Sequence, residues 1–168
     1  MDCNILGSCI RSMENNGEKS DKCKINQCLL QCDKRKHVVV EENKKKYELS
    51  NDDDLIALFQ VDDGMITSKD TIKCDNLFVD LTSRFAVLVE LKGTDLRHAF
   101  EQINSTYMRV GTALKSYRLY ARIVTSSRTN VPNLKTSPQY IDLQKKMKRH
   151  GGNIQTKANS MCDYVKQM

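Results

Sequence analysis

Two charged residues near the end of a strongly apolar segment are the first candidates for chemistry. Glu90 and Lys92 are two positions apart in residues 84–92, whose alternation is typical of a β-strand, so both side chains should lie on one face. A carboxylate and an ammonium group among apolar neighbours are costly to bury without partners or a role. Asp75 begins the preceding apolar segment, and a turn at residues 82–83 would place it opposite Glu90.

Two convergent carboxylates and a lysine suit the hydrolysis of a phosphodiester. Carboxylate oxygens bind hard divalent cations such as Mg²⁺, and we expect Mn²⁺ to substitute for it. A bound cation polarises the phosphodiester and lowers the pKa of a bound water, while a lysine stabilises the charge that develops. The residues therefore predict Asp75 and Glu90 as metal ligands and Lys92 as the group that assists the attacking water. An ion pair between Glu90 and Lys92 is the alternative explanation.

The pattern around these residues predicts the elements that position them. Alternating and helical spacings of apolar residues follow one another along the chain, which indicates an α/β fold with a central mixed β-sheet flanked by helices. The predicted elements are a hairpin of residues 38–41 and 46–49, a strand or short helix at 55–61, strands at 77–81 and 84–92, a helix at 95–110, a strand at 117–125, a helix at 139–149 and a short strand at 153–156.

The segments KCDNL (residues 73–77) and VLVELKG (residues 87–93) resemble the PD-(D/E)XK nuclease superfamily. The resemblance covers roughly residues 62–157 and is to small stand-alone, bacterial-type members. It implies a restriction endonuclease-like fold in which Asp75 and Glu90 bind metal and Lys92 is the catalytic lysine. It also implies a catalytic role for Gln102, because many members donate a glutamine from the helix that follows the strand. Cys74 stands where the family usually has proline.

The residues and the resemblance together predict a Mg²⁺-dependent endonuclease that hydrolyses DNA, with RNA as a further possibility. Nucleic-acid processing or defence against foreign DNA is the expected setting, and a homodimer or a larger protein complex the expected assembly. A catalytically inactive subunit that binds nucleic acid or protein is the alternative. The number of metals stays open, because Glu41, Glu42, Asp62 and Asp63 are equal candidates for a further acidic ligand.

Positive charge is concentrated toward the C-terminus. The chain has a net charge of +6, and residues 111–168 contain eleven Lys or Arg against two acidic residues. This asymmetry favours a polyanionic partner, although a solvated basic surface would give the same pattern. The candidates for contacts with nucleic acid are Arg118 and Arg122 on a strand and Lys145, Lys146, Lys148 and Arg149 on a helix.

The N-terminal part is rich in cysteine. Five of the seven cysteines precede residue 33. Buried free thiols are the favoured interpretation, and the alternative is zinc binding by Cys23, Cys28 and Cys32 as one group and by Cys3 and Cys9 as another. No apolar run approaches the roughly 18 residues that span a membrane, and the first residues lack the pattern of a secretory signal. A cytoplasmic protein without disulfides is therefore expected. Residues 1–35 are predicted as a cysteine-rich segment, either irregular or with a short helix near residues 26–31, within the same domain as a nuclease-like region at 36–168.

Overall fold

The computed structural model describes residues 6–16, 28–126 and 133–168 and has an α/β architecture with two β-sheets. No helix within these ranges is long and apolar enough to cross a membrane. The elements are α1 (Leu6–Asn16), β1 (Leu29–Asp33), β2 (His37–Glu42), β3 (Lys45–Ser50), β4 (Ile56–Gln60), β5 (Asn76–Asp80), β6 (Phe85–Leu91), α2 (Leu96–Val110), β7 (Arg118–Thr125), α3 (Pro138–Arg149), β8 (Ile154–Ala158) and β9 (Ser160–Tyr164), with short 3₁₀ helices at Leu134–Thr136 and Val165–Gln167.

The larger sheet has six strands in the order β1-β4-β5-β6-β7-β8. Strands β5 and β6 are antiparallel, whereas β7 runs parallel to β6 and β8 runs parallel to β7. The prediction of a central mixed sheet flanked by helices is therefore confirmed. In the β5–β6 pair Asn76 lies opposite Val89, so the preceding Asp75 comes level with Glu90, as the turn at residues 82–83 predicts.

Both faces of this sheet are covered, which explains why every residue of β6 is buried. Ala86 and Leu88 face a core that α1, α2 and α3 complete. Phe85, Val87 and Val89 face a second core beneath a three-stranded sheet in the order β2-β3-β9. The alternation in residues 84–92 thus separates two apolar layers rather than a core face from a solvent face.

The N-terminal part differs from the sequence-based expectation. Residues 6–16 form a helix that was not predicted, and its Leu6, Ile10 and Met13 are buried in the core that α2 shares. The short helix predicted near residues 26–31 is wrong where the structure describes it: residues 29–33 form a strand that pairs antiparallel with β4. Pairing with a neighbouring strand overrides the weak local preference of this polar segment. Residues 26 and 27 lie outside the described residues.

Candidate active site

Glu90 lies near the end of β6, beneath α2, and is only 1% exposed. Its Oε2 atom is buried and has no hydrogen-bond partner of ordinary geometry among the described residues, although the side-chain amide of Gln102 and the backbone N–H of Asp75 lie close enough to lower the pKa of the Glu90 carboxyl group. Gln102 projects from α2 toward the same place: its amide nitrogen donates to the carbonyl of Lys73 at 2.9 Å, while its Oε1 atom is also buried without a partner. Two unsatisfied oxygens in one buried region carry a desolvation cost that a bound group would relieve.

Asp75 is fixed by backbone hydrogen bonds on both sides. Its carboxylate accepts a hydrogen bond from the backbone N–H of Leu91 at 2.6 Å, and its carbonyl accepts one from Val61 at 2.8 Å. Lys92 follows immediately after β6, where its own N–H donates to Val124 on β7. Its ammonium nitrogen is 4.0 Å from Glu90 Oε1, and its side chain is 28% exposed. The structure therefore brings together Asp75, Glu90 and Lys92, which the sequence analysis singled out.

Burial makes both carboxyl groups weak acids. It raises the pKa of Glu90 to about 9, and the negative charge of Asp75 acts in the same direction. Burial also raises the pKa of Asp75 to about 6, although its hydrogen bond from Leu91 opposes this. Lys92 lowers both pKa values without cancelling the effect of burial. A cation placed between the two groups would favour their charged forms.

An acidic cleft of about 470 Å³ opens in front of Asp75. The four acidic residues among which the sequence could not choose all line it, and two of them, Glu42 and Asp62, contribute to the raised pKa of Asp75. Such a cluster repels a polyanion unless cations compensate it. The carboxylates that line the cleft are Glu41, Glu42, Asp62, Asp63 and Asp75.

Lys73 is a supporting residue that the sequence analysis missed. Its side chain is 6% exposed, and its ammonium lies 3.0 Å from Asp62 Oδ1 and donates to the carbonyl of Ser68 at 2.7 Å. Its backbone carbonyl holds the amide of Gln102. Its position two residues before Asp75 is the feature of the sequence that could have indicated this role. This feature is weak evidence, because a lysine before a strand is ordinarily exposed.

The residues fit a hard divalent cation with few protein ligands. No three His, Cys, Asp or Glu side chains within the described ranges form a group able to hold a metal on their own. Mg²⁺ is nevertheless commonly held by one or two carboxylates and keeps several waters. The buried, unpartnered oxygen of Glu90 beside Asp75 is the observation that supports this fit.

Arg122 and Arg118 do not join this site. Arg122 is 1% exposed, and its guanidinium pairs with Asp163 on β9 at 2.5 Å and donates to the side-chain oxygen of Asn153 at 2.9 Å. The prediction that Arg122 contacts nucleic acid is therefore wrong, because it is covered by the second sheet. Arg118 is exposed but pairs with Phe85 at the start of β6, about 17 Å from Glu90 at ~3.3 Å per strand residue.

The basic residues of α3 lie at the same end of the sheet as Arg118, where β6 and β7 begin. The residue after α3, His150, approaches the carbonyl of Tyr117 at 3.3 Å, which places the end of the helix beside the start of β7. Lys146 is also engaged within the fold, donating to Asp142 at 2.7 Å and to Asn104 at 3.0 Å. Lys145, Lys148 and Arg149 are exposed, so they remain candidates for a polyanion, although not next to Asp75.

The cysteines predicted as alternative zinc ligands are only partly described. Cys9 and Cys28 are buried among the apolar side chains of the helical core, and Cys32 packs against it. Cys3 and Cys23 lie outside the described residues. The burial of Cys9 and Cys28 is what the thiol interpretation predicts.

The chain was also compared with known proteins. No family model matches it, and neither a curated protein nor a solved structure matches it significantly.

Proposed function

We propose that this chain is a Mg²⁺-dependent nuclease of the PD-(D/E)XK type, with a restriction endonuclease-like fold, that hydrolyses phosphodiester bonds of DNA. The observation that carries the proposal is the buried, unpartnered carboxylate oxygen of Glu90. It lies beside Asp75 and Lys92 where β5 begins and β6 ends, in the middle of the mixed sheet. The choice of DNA follows the resemblance to restriction enzymes. RNA is a second substrate for the test, and Mn²⁺ a second cofactor.

Each side chain has a role that follows from its surroundings. Asp75 and Glu90 would hold the cation, because it favours the charged forms that burial disfavours. When bound, the cation supplies polarisation of the phosphodiester and a lowered pKa of water. Lys92 keeps part of its side chain in solvent, where it can orient the attacking water and stabilise negative charge. The hydrogen bond from Gln102 to Lys73 fixes the helix side of the site.

One observation favours a different role. The basic residues of α3 lie at the opposite end of the strands from the carboxylates. A polyanion bound there would therefore not reach Asp75 directly. A catalytically inactive subunit that binds nucleic acid or a protein within a larger complex would show this separation. Cleavage assays distinguish the two roles, because the inactive subunit binds without cutting.

The decisive experiment is incubation of the purified chain with supercoiled plasmid, linear DNA and RNA in the presence of Mg²⁺, Mn²⁺ or EDTA. Cleavage of DNA should require a divalent cation and should fall to background in Asp75→Asn and Glu90→Gln. Lys92→Met should lose at least about a hundredfold in rate, as expected when one charge-stabilising group is removed from a site.

Lys34→Gln is the matched control for Lys92→Met and Glu101→Gln the control for Glu90→Gln, because each removes a charge of the same sign from an exposed side chain that is not a proposed ligand. Both should retain full activity. Cleavage that persists in EDTA, or that survives in Glu90→Gln, would contradict the proposal. Binding of DNA without cleavage under every condition would favour the inactive subunit.

A further inference from the structure

A second cavity, of about 510 Å³, lies by the turn between β5 and β6, at the opposite end of these strands from the acidic cleft. One wall is α1, which contributes Arg11, and another is the end of α2 and the segment after it, with Arg109 and Lys115. Arg84, in the turn between β5 and β6, closes a third side. The cavity therefore gathers four cationic side chains from separate parts of the chain, in contrast to the carboxylates of the first cleft.

Among the described residues that line this cavity, Glu14 is the one carboxylate. It accepts a hydrogen bond from the hydroxyl of Tyr117 at 2.5 Å and lies 3.3 Å from Arg84. The Arg84 guanidinium is also 5.3 Å from the centre of the Tyr117 ring. Glu14 thus compensates Arg84, and Arg11 and Lys115 give the described lining an excess of positive charge.

Arg11, Arg84 and Lys115 have N–H groups that could donate hydrogen bonds to a ligand. Arg11 donates to Ser8 and Arg84 to Ser116 only at 3.4 Å, which is beyond the usual length of such bonds. Lys115 is exposed and forms no hydrogen bond or ion pair with another described residue. A guanidinium presents parallel N–H groups that match a phosphate. Compensation of the helix dipole explains Arg109 and Lys115, which flank the end of α2, but not the arginines that come from other elements.

We propose that this cavity binds a phosphorylated small molecule, with Arg11, Arg84 and Lys115 on its phosphates and Glu14 accepting from a hydroxyl or amine of the same ligand. The volume is in the range of small-molecule pockets, and the excess of positive charge suits two or more phosphates. A nucleoside triphosphate meets both requirements, because it carries phosphates and ribose hydroxyls. This site is separate from the carboxylates, so its failure would leave the proposed nuclease untouched.

Isothermal titration of the full chain with ATP and with pyrophosphate tests the proposal. EDTA and a fixed ionic strength exclude binding through a cation at Asp75. Both probes should bind saturably, and Arg84→Gln with Lys115→Gln should weaken them at least tenfold. The matched control is Lys36→Gln with Lys44→Gln, which removes the same charge from exposed positions on either side of β2, away from the cavity, and should bind as the wild type does.

Two further variants keep the test decisive. Arg84 packs near Tyr117, so if its substitution unfolds the protein, Lys115→Gln alone, at an exposed position, should still weaken both probes. Glu14→Gln should weaken ATP but not pyrophosphate, which has no ribose. A 5′-phosphorylated oligonucleotide that displaces pyrophosphate would identify a nucleic-acid end as the source of the phosphate, whereas no displacement would identify a free phosphate ester. Absence of saturable binding, or equal weakening in the Lys36→Gln, Lys44→Gln control, would overturn the proposal.

Discussion

Replacing Glu90 with glutamine should stabilise the metal-free protein by an amount that grows with pH. Burial raises the pKa of Glu90 to about 9, so the folded state holds a proton that the unfolded state releases at much lower pH. The stability that this proton provides is complete below the ordinary pKa of 4.5 and is lost as pH rises toward 9. By pH 7.5 the lost stability approaches about 4 kcal/mol at 1.36 kcal/mol per pH unit. This is an upper limit, because water that enters the site would solvate the ionised carboxylate and reduce the loss.

Thermal unfolding in EDTA at pH 5.5 and pH 8.0 measures this difference. For a chain of this length, 1 kcal/mol corresponds to about 2–4 °C in Tm, so the advantage of Glu90→Gln over the wild type should widen by several degrees between the two pH values. Glutamine also supplies an N–H that can donate to the unpartnered Oε1 of Gln102. Glu101→Gln is the control, because Glu101 is on the same helix as Gln102 with a side chain that is 41% exposed.

Addition of Mg²⁺ should reverse the order of stability. The wild type should gain several degrees in Tm, because a ligand that binds only the folded state stabilises it by mass action. Glu90→Gln should gain little. A Glu90→Gln protein that is less stable than the wild type at pH 8.0 in EDTA, or a difference that does not change with pH, would refute the reasoning.

Three further predictions follow from the contacts described above. At subsaturating Mg²⁺ the cleavage rate should rise between about pH 6 and pH 9, because Asp75 and Glu90 must lose protons to bind the cation; a flat rate profile would contradict this. Arg122→Met should cost about 3–5 kcal/mol in urea unfolding by leaving its carboxylate partner on β9 unpaired, and neutralising that partner as well should restore part of the loss. Gly152→Ala should lower Tm sharply, because its Cβ would lie 1.8 Å from a backbone oxygen of β7; Gly93→Ala, which has open space, is the comparison.

The centre of the fold could be predicted because its signals are local. Alternation in residues 84–92 and a turn at 82–83 determine the register that places Asp75 opposite Glu90. The helix that follows was predicted from its apolar spacing, and the side chain of Asp95 caps it by accepting from His98 N–H. The hairpin β2–β3 was predicted for the same kind of reason.

The remainder depends on contacts between distant parts of the chain. Helix α1 contains glycine, serine and asparagine, which are weak helix formers, and packing of its apolar side chains on the core stabilises it. Strand β9 is short and polar and has a parallel partner early in the chain. Because β9 could not be predicted, Arg122 was interpreted as an exposed cation, although Asp163 covers it.

The parallel pairing of β3 with β9 has a consequence for how the protein folds. The hydroxyl of Tyr47 on β3 donates to Asp163 on β9 across 116 positions of the chain. Closing so large a loop is entropically costly and slows folding. During synthesis, the apolar face formed by Phe78, Phe85 and Val87 therefore lacks β9 until the last strand has been made. That face is therefore incompletely covered in the nascent chain, which favours aggregation until β9 is in place.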